Sequence, residues 1–263
     1  MKITVIGGGN MGGAIALGAI KQGVVSCSEV TISHLSAKMR PLFGSLTSDI
    51  TLEDYNPKAI VGADLVIIAV KPWFAQEVLA QISGELDRTR QSIISVVAGV
   101  SFEQLSVMLE CTTRGTLPLY RVIPNTAISI GSGVSAISSS GADHKGLQRV
   151  VELFEALGST YVIEEPMMSA FTSLASCGIA FALRYIDAAK RGGESVGIDP
   201  ETSLRVTIET MHGALEMLRT NSSQPQAEID KVTTKGGLTF RGLEAMEREG
   251  FSRAAICAIK ESH

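Results

Sequence analysis

The chain has 263 residues, enough for one large domain and a smaller one, each with its own core. Hydrophobic residues make up 45% and charged residues 19%, a composition that is typical of soluble globular proteins and excludes intrinsic disorder. The net charge of −4 and the scattered basic residues argue against a nucleic-acid partner. Cys27, Cys111, Cys177 and Cys257 lie far apart, which predicts neither a disulfide framework nor a metal site and is typical of a cytoplasmic protein.

Two stretches lack charged residues, and each could be mistaken for a membrane segment. Residues 3–20 are rich in glycine, whereas a signal peptide needs a continuous apolar helix. Residues 166–183 are diluted by serine and threonine, and their length barely spans a bilayer. We therefore predict a buried helix of a soluble protein at residues 166–183 and no membrane partner.

The first 160 residues alternate between strand-like and helix-like patterns. Short runs of β-branched and apolar residues predict strands at 2–6, 29–33, 64–70, 92–98, 119–123 and 127–137. Helical spacing between these runs predicts helices at 10–22, 37–43 and 102–109. The alternation predicts a parallel, doubly wound α/β sheet in a domain that covers residues 1–160.

After residue 160 the pattern becomes helical, apart from one further strand-like run at 160–163. Pro166 is typical of the first turn of a long helix. Asp199-Pro200-Glu201 predicts another helix start, with Asp199 as the N-cap and Glu201 near the positive end of the helix. Gly236-Gly237 precedes a helix that runs towards Arg248. Residues 161–263 are therefore predicted to form an all-helical C-terminal domain.

The glycine run Gly7 to Gly12 has the G-x-G-x-x-G pattern of a dinucleotide-binding loop, and it directly follows a predicted strand and opens a predicted helix. In that context Gly7 allows a tight turn, Gly9 lets the backbone approach a pyrophosphate, and Gly12 lets helix and strand pack closely. The helix N-terminus then presents N–H groups to the phosphates. Residues 1–160 are therefore predicted to be a Rossmann-type dinucleotide-binding domain.

The end of the second strand bears on which dinucleotide is bound. A site that prefers NAD usually places Asp or Glu there, to hold the ribose hydroxyls. This strand instead ends Ile32-Ser33-His34, and Lys38 and Arg40 follow without a carboxylate. NADPH is therefore the favoured cofactor and NADH the alternative, while a plain solvated helix face at Lys38 and Arg40 stays open as a second interpretation.

Five blocks of the sequence together resemble the pyrroline-5-carboxylate reductase family. They are IGGGNMGGAI at 6–15, AVKP at 69–72, VAGVS at 97–101, RVIPNT at 121–126 and VTTKGGLT at 232–239. The blocks run in the family's order over nearly the whole chain, and the last is far more specific than the glycine loop. The family often has Ser-Pro before the paired glycines, where this chain has Thr234-Lys235.

The resemblance implies NAD(P)H-dependent reduction of L-1-pyrroline-5-carboxylate, a small cyclic imino acid, to L-proline, the final step of proline biosynthesis. The residues that match the family's cofactor contacts, together with the glycine loop, are Gly7, Gly9, Asn10, Met11, Gly12, Ser33, His34, Asn56, Ala69, Val70, Lys71, Pro72, Ala98 and Gly99. The residues that match its substrate contacts are Glu165, Lys231, Thr234, Gly236, Gly237, Leu238 and Thr239, and Thr239 is the one expected to be catalytic.

The chemistry of the last block agrees with that implication. N–H groups at a helix start after Gly236-Gly237 would bind the substrate carboxylate, and the Thr239 hydroxyl could hydrogen-bond the ring nitrogen. Hydride attack on a protonated imine needs orientation more than a protein acid, because the carbon is already electrophilic. A plain glycine-pair cap, with Thr239 as a simple N-cap, is the alternative interpretation. No metal site is predicted, because the histidines are widely spread.

Two other functions stay open from the sequence. β-Hydroxyacid dehydrogenases share the two-domain layout but use a lysine in the first long helix of the helical domain, and residues 166–185 contain none. A non-catalytic dinucleotide-binding sensor is the other alternative, because Ser176-Cys177-Gly178 departs from the family's usual GSGPAY segment.

The helix at 166–183 also predicts how the chain associates. It carries no charge on any face, and small residues such as Ala170 and Ser173 would let another helix cross closely. We therefore predict that the helical domain is a dimerisation module. The resemblance implies a homodimer that assembles further, such as a decamer, with an active site that includes residues of the partner chain. The alternative is a helix buried centrally within its own domain.

Overall fold

The computed structural model describes residues 1–141 and 144–263. The chain divides into two compact units, Met1–Ser176 and Cys177–His263. The first unit therefore extends past residue 160, where the sequence pattern placed the boundary. The functional limits of the two domains stay a prediction.

An eight-stranded sheet lies at the centre of the first unit, in the strand order β3-β2-β1-β4-β5-β6-β7-β8. The strands are β1 Ile3–Ile6, β2 Val30–Ser33, β3 Thr51–Leu52, β4 Leu65–Ile68, β5 Ser92–Ser95, β6 Leu119–Pro124, β7 Gly133–Ser140 and β8 Gly158–Val162. Neighbouring strands run parallel, except for the antiparallel pair β6 and β7. The strand order reverses beside β1, as in doubly wound sheets, so the predicted Rossmann-type fold is confirmed.

The prediction of a strand over residues 127–137 is wrong in its first half. Thr126–Ile130 forms a 3-10 helix, and Asn125 caps it by accepting the Ala127 N–H at 3.2 Å. Gly131 then adopts a φ of +72°, which turns the chain so that β7 begins only at Gly133. The side-chain cap and the glycine turn override the β propensity of Ile128 and Ile130. Because β7 pairs antiparallel with β6, the sheet is mixed, whereas the sequence predicted a parallel sheet.

The helices of the first unit are α1 Asn10–Lys21, α2 Arg40–Phe43, α3 Asn56–Ala59, α4 Ala75–Ser83, α5 Phe102–Met108, α6 Cys111–Arg114, α7 His144–Glu155 and α8 Met168–Phe171. Short 3-10 helices lie at Cys27–Glu29, Gly44–Ser48, Pro72–Phe74, Thr126–Ile130 and Glu165–Met167. The helices predicted at 10–22 and 102–109 are confirmed, whereas the one predicted at 37–43 begins only at Arg40.

The core of the first unit consists of two clusters, one on each face of the sheet. Successive residues of β1 point to opposite faces, so Val5 joins one cluster and Ile6 the other. Ile15 of α1 and Leu153 of α7 pack in the cluster with Val5. Leu79 of α4 packs in the cluster with Ile6. Both faces of the sheet are therefore covered, and the loops at the ends of its strands are left for ligands.

The second unit consists of the helices α9 Gly178–Ser195, α10 Pro200–Asn221, α11 Pro225–Val232, α12 Leu238–Arg248 and α13 Phe251–Glu261. The prediction of an all-helical C-terminal region is confirmed. The predicted helix start at Asp199 is confirmed as well, because its carboxylate accepts the Thr202 N–H at 3.0 Å and Pro200 is the first helical residue.

The long helix predicted from Pro166 differs from expectation in regularity and in burial. Between α8 and α9 the chain forms a π-helix at Thr172–Cys177, where the hydroxyl of Thr172 donates to the Met168 carbonyl at 2.7 Å. Such bonds to the preceding turn loosen and bend helices. No residue of α9 is buried, and Leu174 is 66% exposed. The alternative interpretation, a helix buried centrally within its own domain, is therefore wrong, since its apolar side chains stay open in the single chain.

Among the described residues, one helix, Glu165–Ser195, is long and apolar enough to cross a membrane by length and composition. Only 11% of its apolar window is buried within the chain. A helix whose apolar face packs against a second copy of the same chain passes the same test, so this finding does not by itself indicate a membrane.

Candidate functional site

The glycine loop between β1 and α1 has the predicted geometry. Gly7 adopts a φ of +98°, and the N–H groups of Gly7 and Gly8 donate to the Ser33 carbonyl at 3.1 and 3.2 Å. A Cβ on Gly12 would lie 2.2 Å from the Gly7 carbonyl oxygen, whereas a Cβ on Gly9 would meet no described atom within 4 Å. The turn at Gly7 and the close packing at Gly12 are therefore confirmed, and the approach of a pyrophosphate at Gly9 stays a prediction.

The first turn of α1 directly follows Gly9, which is the N-cap of this helix. Asn10 and Met11, two of the predicted cofactor residues, are its first two residues. N–H groups in the first turn of a helix have no partner within the helix, and the helix dipole makes this end positive. The open backbone at Gly9 and these donors fit the pyrophosphate of a dinucleotide.

The predicted cofactor residues after β4 and β5 lie at the same edge of the sheet as the glycine loop. Strands β1, β4 and β5 are adjacent and parallel, so their carboxyl ends lie together. Ala69 donates its N–H to the Ile6 carbonyl at 2.8 Å, and a Cβ on Gly7 would lie 2.8 Å from the Ala69 oxygen. Of the predicted residues in these two loops, Lys71, Pro72, Ala98 and Gly99 are exposed and Val70 is half-buried. Ligands of open α/β sheets bind at this edge.

Ser33 and Asn56, both predicted to contact the cofactor, are buried and bonded to each other. Ser33 Oγ donates to Asn56 Oδ1 at 2.6 Å, and Asn56 Nδ2 donates to Gln81 Oε1 at 2.8 Å. These bonds join the end of β2 to the start of α3 and to the last turn of α4. The two side chains hold the edge of the sheet in place, and their direct contact with a cofactor stays a prediction.

His34 is the residue after β2, and it adopts a left-handed φ of +55°. Its Nδ1 lies 3.6 Å from Oδ1 of Asp54, which follows β3. The sequence shows no carboxylate at the end of the second strand, but the fold supplies one from the neighbouring strand. Sequence reasoning missed Asp54 because the two-residue strand β3 carries no recognisable pattern.

In the second unit, the block VTTKGGLT runs from the last residue of α11, through the loop, into the first residues of α12. The Gly237 N–H donates to the Thr234 carbonyl at 2.8 Å across a turn in which Gly236 has a φ of +76°. Gly237 is the N-cap of α12 and has no side chain to cap it. The first turn begins with Leu238, which is 80% exposed, and with exposed Thr239. A carboxylate can therefore reach backbone N–H groups and a hydroxyl in the same place.

Lys231, predicted to bind substrate, is held by a buried carboxylate. Its Nζ lies 2.7 Å from Glu228 Oε1, which also accepts hydrogen bonds from Ser223 and Asn221. The Lys231 ammonium and the Ser223 hydroxyl lower the pKa of Glu228 to about 2, against an ordinary 4.5. Glu228 was missed from the sequence because the helix α11, which places it one turn before Lys231, was not predicted.

Glu165, the remaining predicted substrate residue, lies in the first unit. Its Oε1 accepts from Arg121 Nη1 and from the Phe102 N–H, each at 2.7 Å. The bond to Phe102 places the carboxylate at the start of α5, where the helix dipole favours it. Arg121 lies in the RVIPNT block but was not singled out from the sequence. The structure thus gives Glu165 a role in holding its segment to β6 and α5, and its contact with substrate stays a prediction.

Among the described residues, no group of three His, Cys, Asp or Glu side chains could hold a metal ion.

The glycine loop at the carboxyl edge of a doubly wound sheet, with a helical second unit, defines a dinucleotide-dependent oxidoreductase. Family models agree with this class. Residues 2–99 match the family described as NADP oxidoreductase, coenzyme F420-dependent, and residues 165–263 match pyrroline-5-carboxylate reductase dimerisation.

Whole-chain relatives narrow the class. Pyrroline-5-carboxylate reductase of Aquifex aeolicus is 33% identical, over 100% of this chain and 95% of that protein. The 1-pyrroline-5-carboxylate reductase structure from Streptococcus pyogenes is 29% identical, with a TM-score of 0.86, and covers 100% of this chain and 96% of that one. The Plasmodium falciparum pyrroline carboxylate reductase, solved with NADP bound, shares the fold at 23% identity and a TM-score of 0.89, over 100% and 95% of the two chains. The chain belongs to the pyrroline-5-carboxylate reductase family.

Proposed function

We propose that this protein reduces L-1-pyrroline-5-carboxylate to L-proline with NADPH, or with NADH, as the final step of proline biosynthesis. The observation that carries the proposal is the loop from Thr234 to Thr239, in a chain that belongs to the family. It offers helix N–H groups and a hydroxyl to a small molecule with one carboxylate and one ring nitrogen.

Each end of the substrate has a group to meet it. N–H groups at the start of α12 hold the carboxylate, and Lys231 beside the loop, which Glu228 holds in place, donates a further hydrogen bond. The Thr239 hydroxyl accepts a hydrogen bond from the protonated ring nitrogen, which orients the imine carbon. Glu165, Thr234, Gly236, Gly237 and Leu238 complete the proposed substrate set.

The cofactor is proposed to bind at the carboxyl edge of the sheet. The proposed contacts are Gly7, Gly9, Asn10, Met11, Gly12, Ser33, His34, Asn56, Ala69, Val70, Lys71, Pro72, Ala98 and Gly99. When bound, its reduced nicotinamide supplies the hydride. This chain's residues bind, orient and exclude water, because an iminium carbon needs no further activation by a protein acid.

The dimerisation domain supports a homo-oligomer, and the exposed apolar helices fit that role. We propose that the protein is a homodimer in the cytoplasm, that dimers assemble further into a decamer, and that the domains function as residues 1–160 and 161–263. The spread-out cysteines are consistent with a reducing compartment. Sedimentation analysis of the purified full chain would measure the size of the assembly.

A spectrophotometric assay at 340 nm with pyrroline-5-carboxylate and each cofactor tests the reaction. Thr239→Ala should lower kcat/KM about tenfold or more, because one hydrogen bond to the reacting ring is lost. Thr239→Ser keeps the hydroxyl and should retain most of the rate. NADPH affinity should be the same in all three proteins. An unchanged rate in Thr239→Ala would contradict the role of Thr239, and binding of NADPH without turnover would support the sensor alternative.

A further inference from the structure

The segment after β2 is fixed beside the glycine loop. The Ser33 carbonyl accepts the N–H groups of both Gly7 and Gly8, and the Ser36 N–H donates to the Gly8 carbonyl at 3.0 Å. His34 lies between these bonds with its left-handed backbone, and its side chain is 57% exposed. The imidazole is therefore held at the carboxyl edge of the sheet, next to the loop proposed to bind the pyrophosphate.

Asp54 reaches the same edge from the neighbouring strand. Strand β3 pairs in parallel with β2, and the Glu53 N–H continues the pairing by donating to the Ile32 carbonyl at 3.2 Å. Asp54 comes next, with a side chain that is 89% exposed and 3.6 Å from His34 Nδ1. Glu53 differs from it, because Lys58 Nζ lies 2.6 Å from the Glu53 carboxylate and compensates its charge.

The end of the second strand is where dinucleotide-binding sheets meet the ribose of the adenosine half. NADH presents a 2′-hydroxyl there, which can donate to a carboxylate. NADPH presents a 2′-phosphate with about two negative charges, which a carboxylate repels. With the cofactor at the proposed site, Asp54 would lie beside the one part that differs between NADH and NADPH.

We infer that Asp54 is a selectivity-determining residue that lowers the preference of this protein for NADPH over NADH. The inference rests on the proposed function and adds a residue to its cofactor site. Lys38 and Arg40, both exposed, favour the phosphate, and Asp54 opposes them from the adjacent strand. The His34 imidazole lies 3.6 Å from the Asp54 carboxylate.

Binding of NADPH and NADH to the full-length protein, measured by isothermal titration calorimetry, tests the inference without relying on turnover. In Asp54→Asn the ratio of the NADH to the NADPH dissociation constant should rise about fivefold, as expected for removal of one exposed charge. Asp54→Glu keeps the charge and should leave the ratio close to that of the unmodified protein.

Asp49→Asn is the matched control, because Asp49 is an exposed carboxylate that precedes β3 and so lies at the opposite end of that strand. It changes the net charge equally and should not move the ratio. An unchanged ratio in Asp54→Asn, or an equal change in Asp49→Asn, would overturn the inference. If the unmodified protein binds neither dinucleotide, the proposed function itself fails, which is a different result from binding of both with an unchanged ratio.

Discussion

The two units differ in where their apolar side chains lie. In the first unit, Val5 and Ile68 are fully buried in the clusters on opposite faces of the sheet. In residues 177–263, all of which the structure describes, the buried side chains are those of Ser203 and Glu228, which are polar. The large apolar residues exposed there are Leu183, Val196, Ile198, Leu204, Val206, Ile208, Leu215, Met217, Val232, Leu238, Phe251 and Ile256.

This contrast shows that the second unit lacks the apolar burial that a helical domain needs. Ordering each residue costs about 1–2 kcal/mol of backbone entropy, and apolar burial is the main term that offsets it. A unit without buried apolar residues must obtain that burial from another surface. The match of residues 165–263 to a dimerisation domain supports a second copy of the chain as that surface.

The largest effect is expected from Leu174→Glu, which tests whether a partner covers the long helix. Leu174 is 66% exposed in the single chain, so a glutamate there would be harmless in a monomer. In a dimer interface it would bury an unpaired charge from each chain, at a cost of several kcal/mol. We expect the dissociation constant of the dimer to rise about a thousandfold or more, with loss of activity. Light scattering at several protein concentrations measures the change.

Val107→Glu is the matched control, because Val107 is 73% exposed on α5, outside residues 165–263 that match the dimerisation domain. It should leave the oligomer intact. A folded and active monomer of the unmodified chain would contradict the contrast between the units, and so would a Leu174→Glu protein with the original mass.

A smaller effect, confined to the first unit, is expected from two substitutions in the glycine loop. A Cβ on Gly12 would clash with the Gly7 carbonyl at 2.2 Å, so Gly12→Ala should lower the melting temperature. A Cβ on Gly9 would meet no described atom, so Gly9→Ala should leave the melting temperature unchanged. It should still weaken NADPH binding about tenfold, because the methyl group occupies the space for the pyrophosphate. Calorimetry measures both, and a destabilised Gly9→Ala protein that binds NADPH normally would contradict this assignment.

Much of the first unit could be predicted because its signals are local. Leu65 to Ile68 is a buried apolar run, and Asn10 to Lys21 follows a glycine loop, so both elements were predicted close to their true bounds. The antiparallel β7 was not, because the cap at Asn125 and the turn at Gly131 decide it. Whether residues 166–183 are buried within their own domain or by a partner chain was left open by the sequence, because an uncharged helix has the same pattern in both cases.

In the candidate site, too, the features set by local motifs could be predicted and those set by distant elements could not. The glycine loop and the turn at Gly236-Gly237 are backbone features that a short motif specifies, and the structure has both. Asp54 and Glu228 depend on the short strand β3 and the helix α11, neither of which has a strong pattern. Residues that act through a neighbour on another element are the ones that a sequence pattern alone does not identify.

The smallest effect on stability is expected from neutralising one carboxylate in each unit. The pKa of Glu228 is lowered to about 2 by Lys231 and Ser223, and that of Glu29 to about 2 by the N-terminal ammonium and Ser26. A lowered pKa stabilises the fold above pH 4.5, the ordinary value, and the stabilisation is lost as the pH falls towards 2. Glu228→Gln and Glu29→Gln should each lower the urea midpoint at pH 7, and less so at pH 3. Because Glu228 lies in the unit that depends on a partner, its loss alone should make the midpoint more sensitive to protein concentration. Circular dichroism at two protein concentrations measures this, and equal sensitivity in both variants would contradict it.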